Sequence, residues 1–178
     1  RKWAFAADVV RFYAVYTEGG VYMDSDIFLF KRFDEYIPQE GFVIFNEKDK
    51  EEREAFGLQA AFFIGSKGNS FCRELLDYYK SRPFVNADGS LNDTISPFVM
   101  TEVAKRHGFV CRDERQDLDC LTTYPTRLLM PRKRFARSAD TFAMHRVYGS
   151  WRTRKSSRRI ELTVTHWINV VRYALLRR

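Results

Sequence analysis

Apolar positions along the chain recur in two periods. In residues 3–17 (WAFAADVVRFYAVYT), Trp3, Ala7, Val10 and Ala14 fall at helical spacing and Gly19-Gly20 supplies a stop, which predicts a helix. Val21–Met23 predicts a short buried strand that ends at Asp24-Ser25-Asp26, and Ile27–Phe30 a second strand before Lys31-Arg32. Gly41–Asn46 (GFVIFN) and Ala60–Gly65 (AAFFIG) are further strand candidates, with the charged stretch Glu47–Glu54 between them as an exposed loop. Asn69–Lys80 predicts a helix with Phe71, Leu75, Leu76 and Tyr79 inward, residues 83–93 a loop, and Pro97–His107 a helix ended by Gly108. Short strands are predicted at Leu121–Tyr124 and Thr141–His145, then a basic linker at 152–159 and a last helix over Ile160–Arg178. Helices and strands interleave without an internal repeat, so the expected class is α/β.

Composition narrows the picture. The 178 residues are 45% hydrophobic, with 16 Phe, 9 Tyr and 3 Trp, which is enough for one core and excludes disordered and collagen-like classes. Cys72, Cys111 and Cys120 form no CxxC pair, which argues against a disulfide framework or a structural zinc site and suits thiols in a reducing cytoplasm. The net charge of +7 is unevenly spread: residues 1–131 sum to −4 and residues 132–178 to +11. No apolar run approaches the roughly 18 residues of a membrane span.

The chemistry concentrates in Gly19-Gly20-Val21-Tyr22-Met23-Asp24-Ser25-Asp26. Residues two apart in a strand point the same way, so Asp24 and Asp26 are expected to converge on one hard divalent cation, magnesium or manganese. A solvated strand-end turn is the plainer alternative for an isolated DxD. Asp8 and Arg11, three apart in an otherwise apolar helix that leads into this unit, share one face. They are expected to belong to the same polar site rather than to an ordinary surface ion pair.

The run AFAADVVRFYAVYTEGGVYMDSDIFLFKRFD resembles the glycosyltransferases with a DxD sugar-binding region, the family 32 type that includes capsular-polysaccharide transferases and mannosyltransferases. The likeness continues through AFFIGSKGNSF at 61–71, FVNADGSL at 84–91 and HRVYGSW at 145–151. It implies a GT-A, Rossmann-like nucleotide-sugar transferase fold over residues 1–151, lacking an N-terminal strand-helix unit before Arg1, with 152–178 appended. It implies Mn2+ or Mg2+ held by Asp24, Asp26 and Ser150, and donor-sugar contacts from Asp8, Arg11 and Asp24. His145, Ser150 and Trp151 would meet the diphosphate of a UDP- or GDP-linked sugar, and the acceptor would be a saccharide or lipid-linked molecule. Gln59 and Thr94–Pro97 line up with segments that border the sugar and acceptor sites. The family retains anomeric configuration; no catalytic nucleophile is assigned. Ala7 stands where Ser is common before Asp8, and the Asp-Arg pair itself is kept.

Two other readings use the same features. A haloacid-dehalogenase-type phosphatase also starts from a strand and DxD, but it places Thr or Val where this chain has Phe28. A basic module for nucleic acid or anionic lipid fits the charge of the last quarter, yet residues 1–131 are net acidic, and no nucleic-acid partner is expected. In the tail, Val164, Trp167, Val171, Ala174 and Leu175 share one helical face flanked by Arg158, Arg159, Arg172, Arg177 and Arg178. Such a helix either packs on its own domain or attaches 160–178 to an anionic membrane, on the inner face of the plasma membrane for a cytoplasmic enzyme of surface-polysaccharide synthesis.

Overall fold

Helix α1 (Trp3–Glu18) and the two glycines after it set the start of the site. Gly19 and Gly20 have φ of +71° and +102°, the region open to glycine, and Gly19 N–H closes the helix on the Val15 carbonyl at 2.9 Å. The chain thereby reverses into β1 (Gly20–Met23). The computed structural model describes residues 3–48, 56–92, 94–131 and 138–146, all within one compact unit, Arg1–Val147. Ser150, Trp151, the linker 152–159 and the helix expected over 160–178 lie outside the described residues.

After β1 come β2 (Ile27–Leu29), β3 (Phe42–Lys48), β4 (Phe56–Gly65), α2 (Ser70–Ser81), α3 (Ser96–Arg106), β5 (Gln116–Asp117), β6 (Leu121–Tyr124), β7 (Leu129–Pro131) and β8 (Ala143–His145). One sheet has the order β1-β4-β3-β6-β5, with β3 and β6 parallel and the other neighbours antiparallel. A second has the order β2-β8-β7, with β2 antiparallel and β7 parallel to β8. The class is mixed α/β, compatible with a Rossmann-like frame.

The run FVIF is continuous because β3 is covered on both faces. Phe42 and Ile44 join Phe12, Phe63, Phe71 and Leu75 beneath the helices, whereas Val43 and Phe45 join Phe62, Ile64, Tyr36 and Phe142 on the other side. On β4 this alternation breaks. Leu58 and Ala60 belong to the helical side, Phe62 to the opposite side and Phe63 to the helical side again. The register explains it: Ile44 pairs with Phe63 and Asn46 with Leu58, so two steps on β3 span five on β4. An odd excess of residues flips the face, as a bulge must.

Three sequence expectations change. Val21–Met23 is no buried strand: β1 is a sheet edge with Val21 41% and Met23 45% exposed, because β4 is its one partner in the sheet. The stripe Ala7, Val10 and Ala14 faces outward, and Asp8, Phe12 and Val15 face the core. Helix α1 is apolar around most of its circumference, so periodicity identified the helix and not its buried side. Glu47 and Lys48, expected in a loop, extend β3, whereas Tyr79, expected inward, is half-buried and packs on Phe12 at the core. Strands β5 and β7 were not anticipated; at two and three residues they are too short for a periodic signal.

Candidate functional site

The site lies where the C-terminal end of β1, the bulge of β4 and one face of α1 meet. Asp8 and Arg11 are bridged at 3.0 Å with side chains 11% exposed, one turn apart on the face of α1 turned to the sheet. The guanidinium also donates to the Ala60 carbonyl at 2.7 Å, lies 3.6 Å from Asp24 Oδ1, and covers the Tyr22 ring at 4.7 Å. A carbonyl, two carboxylates and one ring thus hold this cation in place. Ser96, at the start of α3, is close enough to the Asp8 carboxyl to favour its charged form. Burial pushes the Asp8 carboxyl above the ordinary range, against the opposing pull of Arg11 and Ser96, and Asp24 adds to the rise.

Asp24 and Asp26 converge, for a different reason than strand alternation. Asp24-Ser25-Asp26 forms a turn closed by the Ile27 N–H on the Asp24 carbonyl at 3.0 Å, after Asp24 N–H has paired with the Ala61 carbonyl at 2.7 Å. The turn folds the two carboxylates together; the extended backbone stops before it. Tyr22 donates its hydroxyl to Asp24 Oδ1 at 2.6 Å, and burial together with that bond pushes the phenol well above its usual range.

His145 arrives through the second sheet. Its pairing with Ile27 in the β2–β8 ladder sets it beside the turn, where Nε2 is 3.3 Å from Asp26 Oδ1. The next residue, Arg146, donates its N–H to the Asp26 carbonyl at 3.0 Å and lays its guanidinium over Phe28. Ligand atoms of Asp24, Asp26 and His145 lie within 4.8 Å of one another. Two carboxylate oxygens and one imidazole nitrogen are a donor set that could hold a divalent ion. The three residues are adequate as part of a coordination shell, with other positions left for ligand or water.

Of the residues singled out by sequence, Asp8, Arg11, Asp24, Asp26 and His145 are brought together, while Ser150 and Trp151 lie outside the described residues. Gln59 does not border the site with its side chain: its amide is spent on the backbone of Ala61 and Phe62 within β4. In the Thr94–Pro97 stretch, Ser96 is close to Asp8, and Thr94 helps line a mainly apolar cleft of about 290 Å³ with Phe5, Val9, Tyr79 and Phe84. Tyr22 and the Ala60 carbonyl had been given no role. Tyr22 was within reach of inference, since it stands two before Asp24; the carbonyl was not, because it depends on the bulge. Cys72 and Cys120 are thiols pushed up by burial, to about 12 and about 11, and are poor nucleophiles.

No curated protein sequence matches the chain. Residues 1–43, which carry Asp8, Arg11, Asp24 and Asp26, match the family model of the glycosyltransferase sugar-binding region containing DXD motif.

Proposed function

We propose that this chain is a metal-dependent glycosyltransferase that takes a sugar from a nucleotide diphosphate and keeps its anomeric configuration, with a GT-A type of fold. The observation that carries the reading is the meeting of Asp24, Asp26 and His145 beside the buried Asp8–Arg11 pair. A single polar centre thus offers a dication seat and a sugar-hydroxyl clamp. Asp24 and Asp26 hold the cation, Mn2+ or Mg2+, with His145 as the third donor. A cation held there would supply Lewis-acid stabilisation to the nucleoside diphosphate as leaving group. Arg11 donates to sugar hydroxyls and Asp8 accepts from them, both pre-oriented by their mutual bridge. Ser150 and Trp151 are assigned to the diphosphate by the family resemblance. We assign the cleft next to Asp8, walled by Phe5, Val9, Tyr79 and Phe84, to a saccharide or lipid-linked acceptor.

Surface-polysaccharide synthesis at an anionic membrane is the setting that suits the basic 160–178 segment, as a peripheral attachment on the cytoplasmic side. Among the described residues no helix is long and apolar enough to cross a membrane. The test is a panel of UDP- and GDP-sugars with Mn2+, scored by donor hydrolysis and by transfer. Metal-dependent turnover that is lost in Asp24→Ala supports the reading, and full turnover in that variant sinks it. Release of phosphate from a generic phosphate ester in place of sugar transfer would favour the phosphatase reading.

A further inference from the structure

The bulge of β4 carries a side-chain staple. Gln59 is 3% exposed, and its Oε1 accepts from the N–H groups of Ala61 at 2.5 Å and Phe62 at 2.9 Å. Its Nε2 donates to the Phe62 carbonyl. One amide therefore supplies, within the strand, partners for two N–H groups and one carbonyl at the bulge. The residues enclosed by the staple turn their carbonyls to the candidate site. Ala60 accepts from Arg11 Nη1 and Ala61 accepts from Asp24 N–H, each at 2.7 Å. In an unbroken strand, successive carbonyls point to opposite neighbours. The slip releases Ala60 from β3, so both carbonyls serve the site.

We propose that Gln59 is a positioning residue for the site: it holds the bulge in the shape that fixes the Arg11 guanidinium and the Asp24 backbone. It thereby sets where the Asp24 carboxylate meets a divalent cation. Gln59 touches neither the cation nor the sugar; it acts through two backbone carbonyls. The inference rests on the metal-dependent reading above and extends it to a buried residue on another strand.

Gln59→Met keeps the side-chain length and removes all three hydrogen bonds. The Mn2+ dissociation constant, read by the electron paramagnetic resonance of free Mn2+, is expected to rise about 10- to 100-fold, the range for losing an outer partner of a metal ligand. A purely structural role predicts the same loss in any core variant with an equal drop in melting temperature. Leu75→Ala or Val103→Ala, whichever matches that drop, is instead expected to bind Mn2+ as the wild type does. An unchanged constant in Gln59→Met, or an equal loss in the matched core variant, overturns the proposal.

The wild-type chain gives a second arm that needs no variant to fold. The amides of Ala61, Phe62 and Asp24 are expected to gain protection from hydrogen exchange together on addition of Mn2+, read by mass spectrometry; protection gained by Asp24 alone, or by none of them at saturating Mn2+, overturns the coupling. Donor turnover separates the two levels. A wild-type chain that binds Mn2+ yet leaves every nucleotide sugar intact defeats glycosyl transfer and leaves the role of Gln59 standing. Normal turnover with unaltered Mn2+ binding in Gln59→Met defeats the role of Gln59 alone.

Discussion

The Asp8–Arg11 pair and the Asp24–Asp26–His145 group adjoin each other through Arg11, yet they are assembled in opposite ways. The first is local: three residues apart on one helix, nearly buried, and satisfied internally before any ligand arrives. The second is non-local: a turn at the end of an edge strand meets a histidine 119 residues further along, brought in by pairing within a different sheet. Asp24 accepts from the Tyr22 hydroxyl and faces Arg11, and Asp26 faces the His145 imidazole. A charge pair inside a packed face is tied to folding; carboxylates collected on a turn are available for binding. Substitutions in the two should therefore divide, one set acting on stability and the other on metal affinity.

The sharpest break of this contrast comes from Asp26→Ala. Outer partners of metal ligands are typically worth 10- to 100-fold, so loss of a ligand is expected to weaken Mn2+ binding and metal-dependent donor turnover by more than about 100-fold. The melting temperature of the metal-free protein should barely move, because Asp26 sits on a turn. A large loss of stability without loss of metal affinity would reverse the assignment of the two regions. Arg11→Met is the counterpart. It leaves Asp8 buried without its cation, which is expected to destabilise the fold by about 3–5 kcal/mol in urea unfolding. Stability equal to wild type would mean that the pair is not held in the packed interface.

The same division governs what the sequence made legible. The helix of α1, the strands β3 and β4 and the helix α2 follow from runs of apolar residues that neighbours then cover, and Asp8 and Arg11 follow from helical spacing. The DxD could be read as a pair of ligands, although the geometry that joins them is a turn and not a strand. Gly41–Asn46 is legible as a strand and proves covered on both faces; Val21–Met23 is expected as a buried strand and is an edge, because local pattern does not count partner strands. His145 entered only through the family resemblance, since nothing near it in sequence points to Asp26. The bulge was illegible for a physical reason. Its three excess residues are an event between β3 and β4, and no single segment encodes it. Gln59 accordingly looked like a site side chain when its bonds go to its own strand.

A smaller effect probes the border between the regions. Tyr22→Phe removes one donor from Asp24 Oδ1 and leaves the ring, with its stacking on Phe63 at 5.0 Å, in place. The carboxylate loses orientation without losing charge, so Mn2+ affinity should fall by about 10-fold, the low end for an outer partner. Wild-type affinity in this variant would mean that Arg11 and the Ala61 carbonyl suffice to hold Asp24.

The smallest effect concerns the sign of the Asp8 contribution. Burial raises its carboxyl above the ordinary 3.8, with Arg11 and Ser96 pulling the other way. The folded chain then holds this proton more tightly than the unfolded chain does. Its stabilising contribution is complete below pH 3.8 and is lost as pH rises through the raised value. Asp8→Asn cannot titrate. The wild-type minus variant difference in unfolding free energy should therefore decline across that window, by at most about 1.4 kcal/mol per pH unit, and then level off. The measurement is urea unfolding of both proteins at a series of pH values. A difference that grows with pH across the window would mean that the attraction of Arg11 outweighs desolvation. The pair would then be a plain stabilising ion pair, with no raised carboxyl beside the proposed sugar site.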